Sequence, residues 1–161
     1  MKKFFGLMLL CATVGVFYSC EKNPDSSRKT YNIGDIVSHN GVPAIVIIPY
    51  NETTQQGLMM SLEETNCSWI DAYTWCVDMG CSWRLPLKRE LRIVRDNIDK
   101  INNILQQEGK TLLGKDYYWS IEEVDWDFAY VVYMGKSSGG YSRDYYSRDY
   151  NYKVRAVHAF K

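Results

Sequence analysis

Two adjoining copies of one pentapeptide, Tyr141-Ser142-Arg143-Asp144-Tyr145 and Tyr146-Ser147-Arg148-Asp149-Tyr150, carry the residue types in this chain best suited to contact chemistry. Tyrosine offers a broad rigid ring and a hydroxyl at low entropic cost. Arginine stacks and makes bidentate hydrogen bonds, and serine lets a loop adapt, a combination used in antibody paratopes. Aromatic faces also suit the apolar CH faces of sugars. Tyr141, Arg143, Tyr145, Tyr146, Arg148 and Tyr150, with Trp126 from the preceding segment, are therefore the candidate ligand contacts. A second reading stands beside this one: the tyrosines pair across strands and cover the core, while Arg143/Asp144 and Arg148/Asp149 form weak surface ion pairs. Two copies of five residues are too few for a solenoid, so the repeat suggests a hairpin extension or a loop.

Catalytic and metal-binding patterns are thinner. Glu122, Glu123, Asp125 and Asp127 cluster around Trp126, a spacing compatible with calcium but expected of a solvated acidic loop. His39 lies in a turn signal and His158 in a strand-like segment, which gives neither zinc spacing nor a Cys/His pair. No catalytic residue, metal or cofactor is assigned, and the chain is expected not to be an enzyme. Beyond Cys20 the sequence keeps Cys67, Cys76 and Cys81, an odd number for an oxidising compartment. Cys76 and Cys81 are the better candidates for a bond, because a helix ending at Gly80 can fold Cys81 back while Cys67 lies a helix length away. Three buried, unpaired thiols acting as small hydrophobes remain an open alternative.

The elements that position these residues follow from pattern. Residues 31–37 alternate, His39-Asn40-Gly41 is a turn signal and Val42 to Ile48 is β-branched, which predicts an opening hairpin. Gly57 to Leu62 gives a third strand. Ser68 with Asp71 predicts a capped helix over 69–79, ended by a left-handed Gly80. Leu87, Leu91, Val94, Ile98, Ile101 and Leu105 recur at spacings of four and three, which predicts one helix of about five turns, closed at Gly109. That stripe reads as core packing. Residues 117–121, 128–134 and 152–160 read as strands. The fold class expected is α+β, two helices packed on small antiparallel sheets.

The chain opens with Lys2 and Lys3, runs through an apolar stretch from Phe4 to Tyr18 and reaches Ser19-Cys20, the order of a signal peptide too short to span a bilayer. Phe17-Tyr18-Ser19-Cys20 resembles the lipobox of bacterial lipoproteins, though the aromatic pair departs from the usual spelling. The resemblance implies a signal peptide over 1–19, acylation of Cys20, and a membrane as partner through two or more acyl chains, which hold where one does not. Residues 20–30 then form the lipidated cysteine and a polar tether, of which the ten residues from 21 span about 17 Å, and residues 31–161 form the domain. Loss of Lys2 and Lys3 leaves 17 basic against 19 acidic residues, a formal charge of −2. A nucleic-acid partner is not expected on that balance. Thirteen tyrosines and five tryptophans suit a recognition protein. The expected location is the cell envelope, lipid-anchored at the outer membrane, and Glu21 just after the cysteine is in keeping with surface export.

Gly80-Cys81-Ser82-Trp83-Arg84-Leu85-Pro86, Tyr118-Trp119-Ser120 and Val154-Arg155-Ala156-Val157 together resemble a bacterial domain of unknown function typified by WRLP, YWSS and VRAV blocks. That domain occurs at the C-terminus of a collagen-like bacterial adhesin and in lipoproteins of Gram-negative gut anaerobes, and it is related to the C-type-lectin-like fold shared by the formylglycine-generating enzymes. The resemblance covers residues 31–161. It implies a C-type-lectin-like domain that binds a glycan or protein ligand without catalysis, with a structural subunit of a surface assembly as the rival and a formylglycine-type oxidase as the third. Trp83, Arg84, Trp119 and Arg155 are expected to be structural, filling core and satisfying carbonyls or carboxylates. The calcium-binding triplets of C-type lectins are missing. Leu87 stands where the family has Thr, which removes an N-cap oxygen worth about 1 kcal/mol, and Ile121 replaces a second Ser or Thr.

Overall fold

The computed structural model describes residues 30–80, 82–135 and 144–161. The chain opens with strands β1 (Ile36–His39), β2 (Val42–Asn51) and β3 (Gln56–Ser61), followed by β4 (Thr65–Cys67) and helix α1 (Trp69–Asp78). Helices α2 (Lys88–Asp96) and α3 (Ile98–Gln107) follow, then β5 (Tyr117–Glu123), β6 (Phe128–Tyr133), β7 (Tyr145–Ser147), β8 (Tyr152–Val154) and β9 (Val157–Phe160). The protein is therefore α+β. Asn40 and Gly41 both take positive φ, 49° and 80°, the backbone that a two-residue hairpin needs between β1 and β2. Ser68 caps α1 through Asp71, and Gly80, at φ 73°, follows its end.

Two sheets form, one of order β1-β2-β3-β9 and one of order β4-β8-β5-β6-β7. Three expectations need correction. The five-turn helix is two helices, because Asn97 leaves helical geometry at φ −111° and its side-chain amide bonds the carbonyl of Ile93. Asparagine competes with the ladder in this way. The apolar stripe survives the break: Leu91, Val94, Ile101 and Leu105 lie in one core cluster. The strand expected over 152–160 is also two strands, since Arg155 and Ala156 leave the second sheet and enter the first. The sheets are not wholly antiparallel either, as β5 meets β8 in parallel at Tyr118 and Lys153.

The second sheet buries both faces, as alternation along β5 requires. Tyr118, with Val132 and Met134, faces the cluster shared with Ile45, Ile47, Leu58 and Met60 of the first sheet and with α2 and α3. Trp119, with Ala129, Val131 and Val154, faces the cluster built from Trp69, Ala72 and Cys76 of α1 with Trp83 and Leu85. No helix among the described residues is long and apolar enough to cross a membrane.

Where the chain changes sheets, the Arg155 side chain is 0 % exposed. Its guanidinium donates to Glu64 Oε2 at 3.2 Å, to the Leu62 carbonyl at 2.8 Å, to the Ser61 carbonyl at 3.3 Å and to the Thr111 carbonyl. Glu64, its side chain 4 % exposed, also accepts from the Tyr118 hydroxyl at 2.7 Å and pairs with Lys153 at 3.0 Å. Removing one member of such a buried pair strands the other charge, at a cost of about 3–5 kcal/mol. Arg155→Ala is therefore expected to lower the urea unfolding free energy by about that amount, whereas Lys110→Ala, which breaks an exposed 2.7 Å pair with Glu63, is expected to change it by less than about 1 kcal/mol. Equal effects of the two in equilibrium urea titration would contradict this assignment.

Candidate functional site

The three sequence blocks meet. Arg84 and Val157 exchange backbone hydrogen bonds at 3.0 and 2.8 Å, and Ile121 N–H donates to the Pro86 carbonyl at 2.9 Å. The Arg84 guanidinium holds Glu90 bidentately at 2.8 and 2.7 Å and also bonds the Leu85 carbonyl. Trp83 is buried beside the stacked rings of His39 and His158, and its indole N–H has no partner among the described residues. Trp119 is fully enclosed and its indole donates to the Cys67 carbonyl at 3.0 Å. The cap oxygen that Leu87 lacks is supplied from elsewhere: Glu122 accepts from Lys88 N–H at 2.6 Å, and Glu90 accepts from Leu87 N–H at 2.8 Å. Both carboxylates sit where the helix dipole favours negative charge.

The candidate ligand contacts divide. Tyr141 and Arg143 lie outside the described residues, as do Cys20 and Cys81. Tyr145 and Tyr146 are consecutive in β7, so the pleat sends them to opposite faces. Tyr145 meets Phe128 and Tyr130 edge-on, at 6.0 and 6.2 Å. Tyr146 instead joins a cluster in which Tyr117, Tyr150 and Tyr152 surround it at centroid distances of 5.2, 6.5 and 5.2 Å, with Tyr133 opposite Tyr117 on β6. A side-chain hydrogen bond with Tyr146, and then burial, push the Tyr117 phenol above its ordinary value; burial first does the same for Tyr152. Tyr145, Tyr146 and Tyr150 thus all pack on neighbouring rings, as the packing reading of the repeat expects.

Arg148 is drawn inward. Its guanidinium lies 3.9 Å from the centre of the Trp69 ring, pairs with Glu123 at 2.9 Å and donates to the Trp126 carbonyl at 3.2 Å. Backbone bonds from Trp69 N–H to the Arg148 carbonyl and from Arg148 N–H to the Asp127 carbonyl, each 2.9 Å, lock the repeat to α1 and to the loop between β5 and β6. Asp125 closes that loop by accepting from Asp127 N–H and Phe128 N–H at 2.9 Å each. The result is a fixed loop carrying Trp126 at 80 % exposure, with Tyr150 at 57 % exposure on the repeat that Arg148 ties to the same loop. Among the described residues Asp125, Asp127 and Asp149 make no ion pair, while Glu123 is neutralised by Arg148. The four acidic residues read as a loop cluster do not converge: Glu122 serves α2, Glu123 serves Arg148 and Asp125 serves its own loop.

Cys67 and Cys76 are free thiols; the partner expected for Cys76, Cys81, lies outside the described residues. Burial pushes the Cys76 thiol up to about 12 and raises that of Cys67. Compared with known protein families, the chain matches no family model. No curated protein matches it either. The sequence reading missed Trp69, the shelf for Arg148, although its place after the Ser68 cap marked it as the first residue of α1. Glu64 carried no local signal at all.

Five groups, Cys67, Cys76, Tyr117, Tyr118 and Tyr152, hold protons in the folded state above their ordinary values. For such acids the folded chain binds more protons than the unfolded one, so their contribution is complete below about pH 9 and declines as pH rises through and beyond the unfolded values. Stability in urea is expected to be flat from about pH 7 to 8.5 and to fall steadily from about pH 9 upward, with tyrosinate absorbance appearing late. A stability maximum near pH 10 would contradict the assignment.

Proposed function

We propose that the chain is a lipid-anchored envelope protein whose C-type-lectin-like domain binds a glycan or protein ligand without catalysis, with Trp126 and Tyr150 as principal contacts. One observation carries this reading: an indole 80 % exposed, on a loop held rigid by Asp125 and Arg148. Large amphipathic rings held rigidly lose little entropy on binding, which is why tryptophan and tyrosine dominate binding hot spots. The surrounding aspartates favour neutral or cationic ligands and disfavour nucleic acid. Meeting of the WRLP-like, YWS and VRAV blocks at one junction supports the domain resemblance, and the lipobox-like Ser19-Cys20 supports the anchor. The raised thiols of Cys67 and Cys76 weigh against an oxidase that works through an ionised cysteine at neutral pH.

A specific observation favours the assembly-subunit reading as second. Ile70, Tyr73 and Val77 stand at 56, 44 and 51 % exposure on one side of α1, at spacings of three and four, with Tyr73 stacked on Trp69 at 6.0 Å. Such a stripe is suited to burial against another protein.

The test is binding of the full chain in detergent to immobilised glycans and matrix proteins, beside Trp126→Ala and Tyr150→Ala. Each variant is expected to fold and to bind at least about tenfold more weakly, the scale of a hot-spot loss. Absence of binding by the parent chain, together with self-association that Tyr73→Ala abolishes, would overturn ligand recognition in favour of assembly.

A further inference from the structure

A cleft of about 420 Å³ opens between the outer half of the β2–β3 hairpin, β9 and the first turns of α2. It shares no lining residue with the Trp126 surface. Its volume falls within the range of small-molecule sites. The β2–β3 ladder is irregular beside it, with register shifts between Val46 and Ile48 and again between Ile48 and Asn51. Bulges of this kind re-aim side chains and are common next to binding sites.

The cleft is amphipathic. Ile48, Leu58 and Ile93 supply an apolar wall, while Gln56, Arg84 and Arg89 supply polar groups. Glu90 lies in it too, but its carboxylate is fully engaged by Arg84 and by Leu87 N–H, so it has no need of a cation. Arg84 is neutralised by that pairing. Arg89, an exposed residue of the lining, makes no hydrogen bond or ion pair among the described residues, which leaves one unmatched positive charge in the cleft's lining. The side-chain amide of Gln56, also in the lining, has no hydrogen-bond partner among the described residues. A planar guanidinium with open N–H groups is matched by a carboxylate, which it holds bidentately.

We propose that this cleft binds a small monoanion with an apolar body, its carboxylate held by Arg89 and its body laid on Ile48, Leu58 and Ile93. Cation binding is disfavoured because the one carboxylate present is already paired. An inorganic anion would leave the apolar wall unused.

The probe is benzoate, titrated into the full-length, isotope-labelled chain in detergent and followed by amide chemical shifts. Saturable shifts at Gly57, Leu58 and Ile93 are expected, with an affinity of about 1 mM for so small a ligand. Arg89→Gln is expected to weaken benzoate about tenfold, and benzamide, of the same shape without charge, to bind the parent about tenfold more weakly. Acetate is expected not to saturate, and Arg95→Gln, which removes an arginine of α2 outside the cleft, to bind benzoate unchanged. Non-saturating or scattered shifts would overturn the proposal. So would equal binding of benzamide, unchanged binding by Arg89→Gln, or an equal loss in Arg95→Gln.

Discussion

A fully enclosed guanidinium is tolerable only if every direction it points in answers with an oxygen, and Arg155 meets that condition through Glu64 and three carbonyls. The demand reaches across the molecule. It fixes the end of β3 and the residue after it, at Ser61 and Leu62, the segment after α3, at Thr111, and β5, through Tyr118 and Glu64. Arg155 also marks the point where the last strands pass from one sheet to the other, so its clamp holds together the only stretch in which β8 and β9 are continuous. Hydrophobic burial supplies most of the stabilising free energy in such a fold, but it is non-directional. The clamp is directional, and it selects this relative placement of the two sheets.

What lies outward of the clamp is arranged in tiers. Trp119 fills the face of β5 opposite Tyr118 and bonds the end of β4; Trp69 covers the same cluster and donates to the Ser120 carbonyl at 2.8 Å. Arg148 lies on Trp69, and Trp126 is held by Arg148. The backbone that carries an exposed ring thus belongs to a chain of contacts that runs from core to surface. The same logic explains why Arg148 is a positioning group although its residue type suits ligand contact: its cationic face is covered by an indole and its Nη1 is engaged by Glu123 and the Trp126 carbonyl.

Local chemistry made much of this legible in the sequence. The Asn40-Gly41 turn and the Ser68 cap each depend on a few neighbouring residues and took the expected form, and the stripe from Leu91 to Leu105 kept its core role although its helix is broken. The breaks at Asn97 and Arg155 did not announce themselves, because each is a contest between a continuing local pattern and a competing bond. At Asn97 the competitor is the residue's own amide on Ile93; at Arg155 it is a carboxylate 91 residues earlier. Glu64 is invisible to any local reading for the same reason. The repeat drew attention to β7, but the division of Tyr145 from Tyr146 needed the pleat and its pairing with β6. The role of Glu122 as a cap for α2 likewise depends on a contact 34 residues away.

If the clamp is what joins the sheets, they must open together. Native-state hydrogen exchange of the full chain reads this directly, amide by amide. The expected result is one common opening free energy for amides of β3, β5, β8 and β9, the last an edge strand closed by the Arg84 bridge, equal to that of global unfolding, with lower values confined to the other edge strands β1, β4 and β7. Separate opening energies for the β1-β2-β3-β9 sheet and the β4-β8-β5-β6-β7 sheet would contradict it.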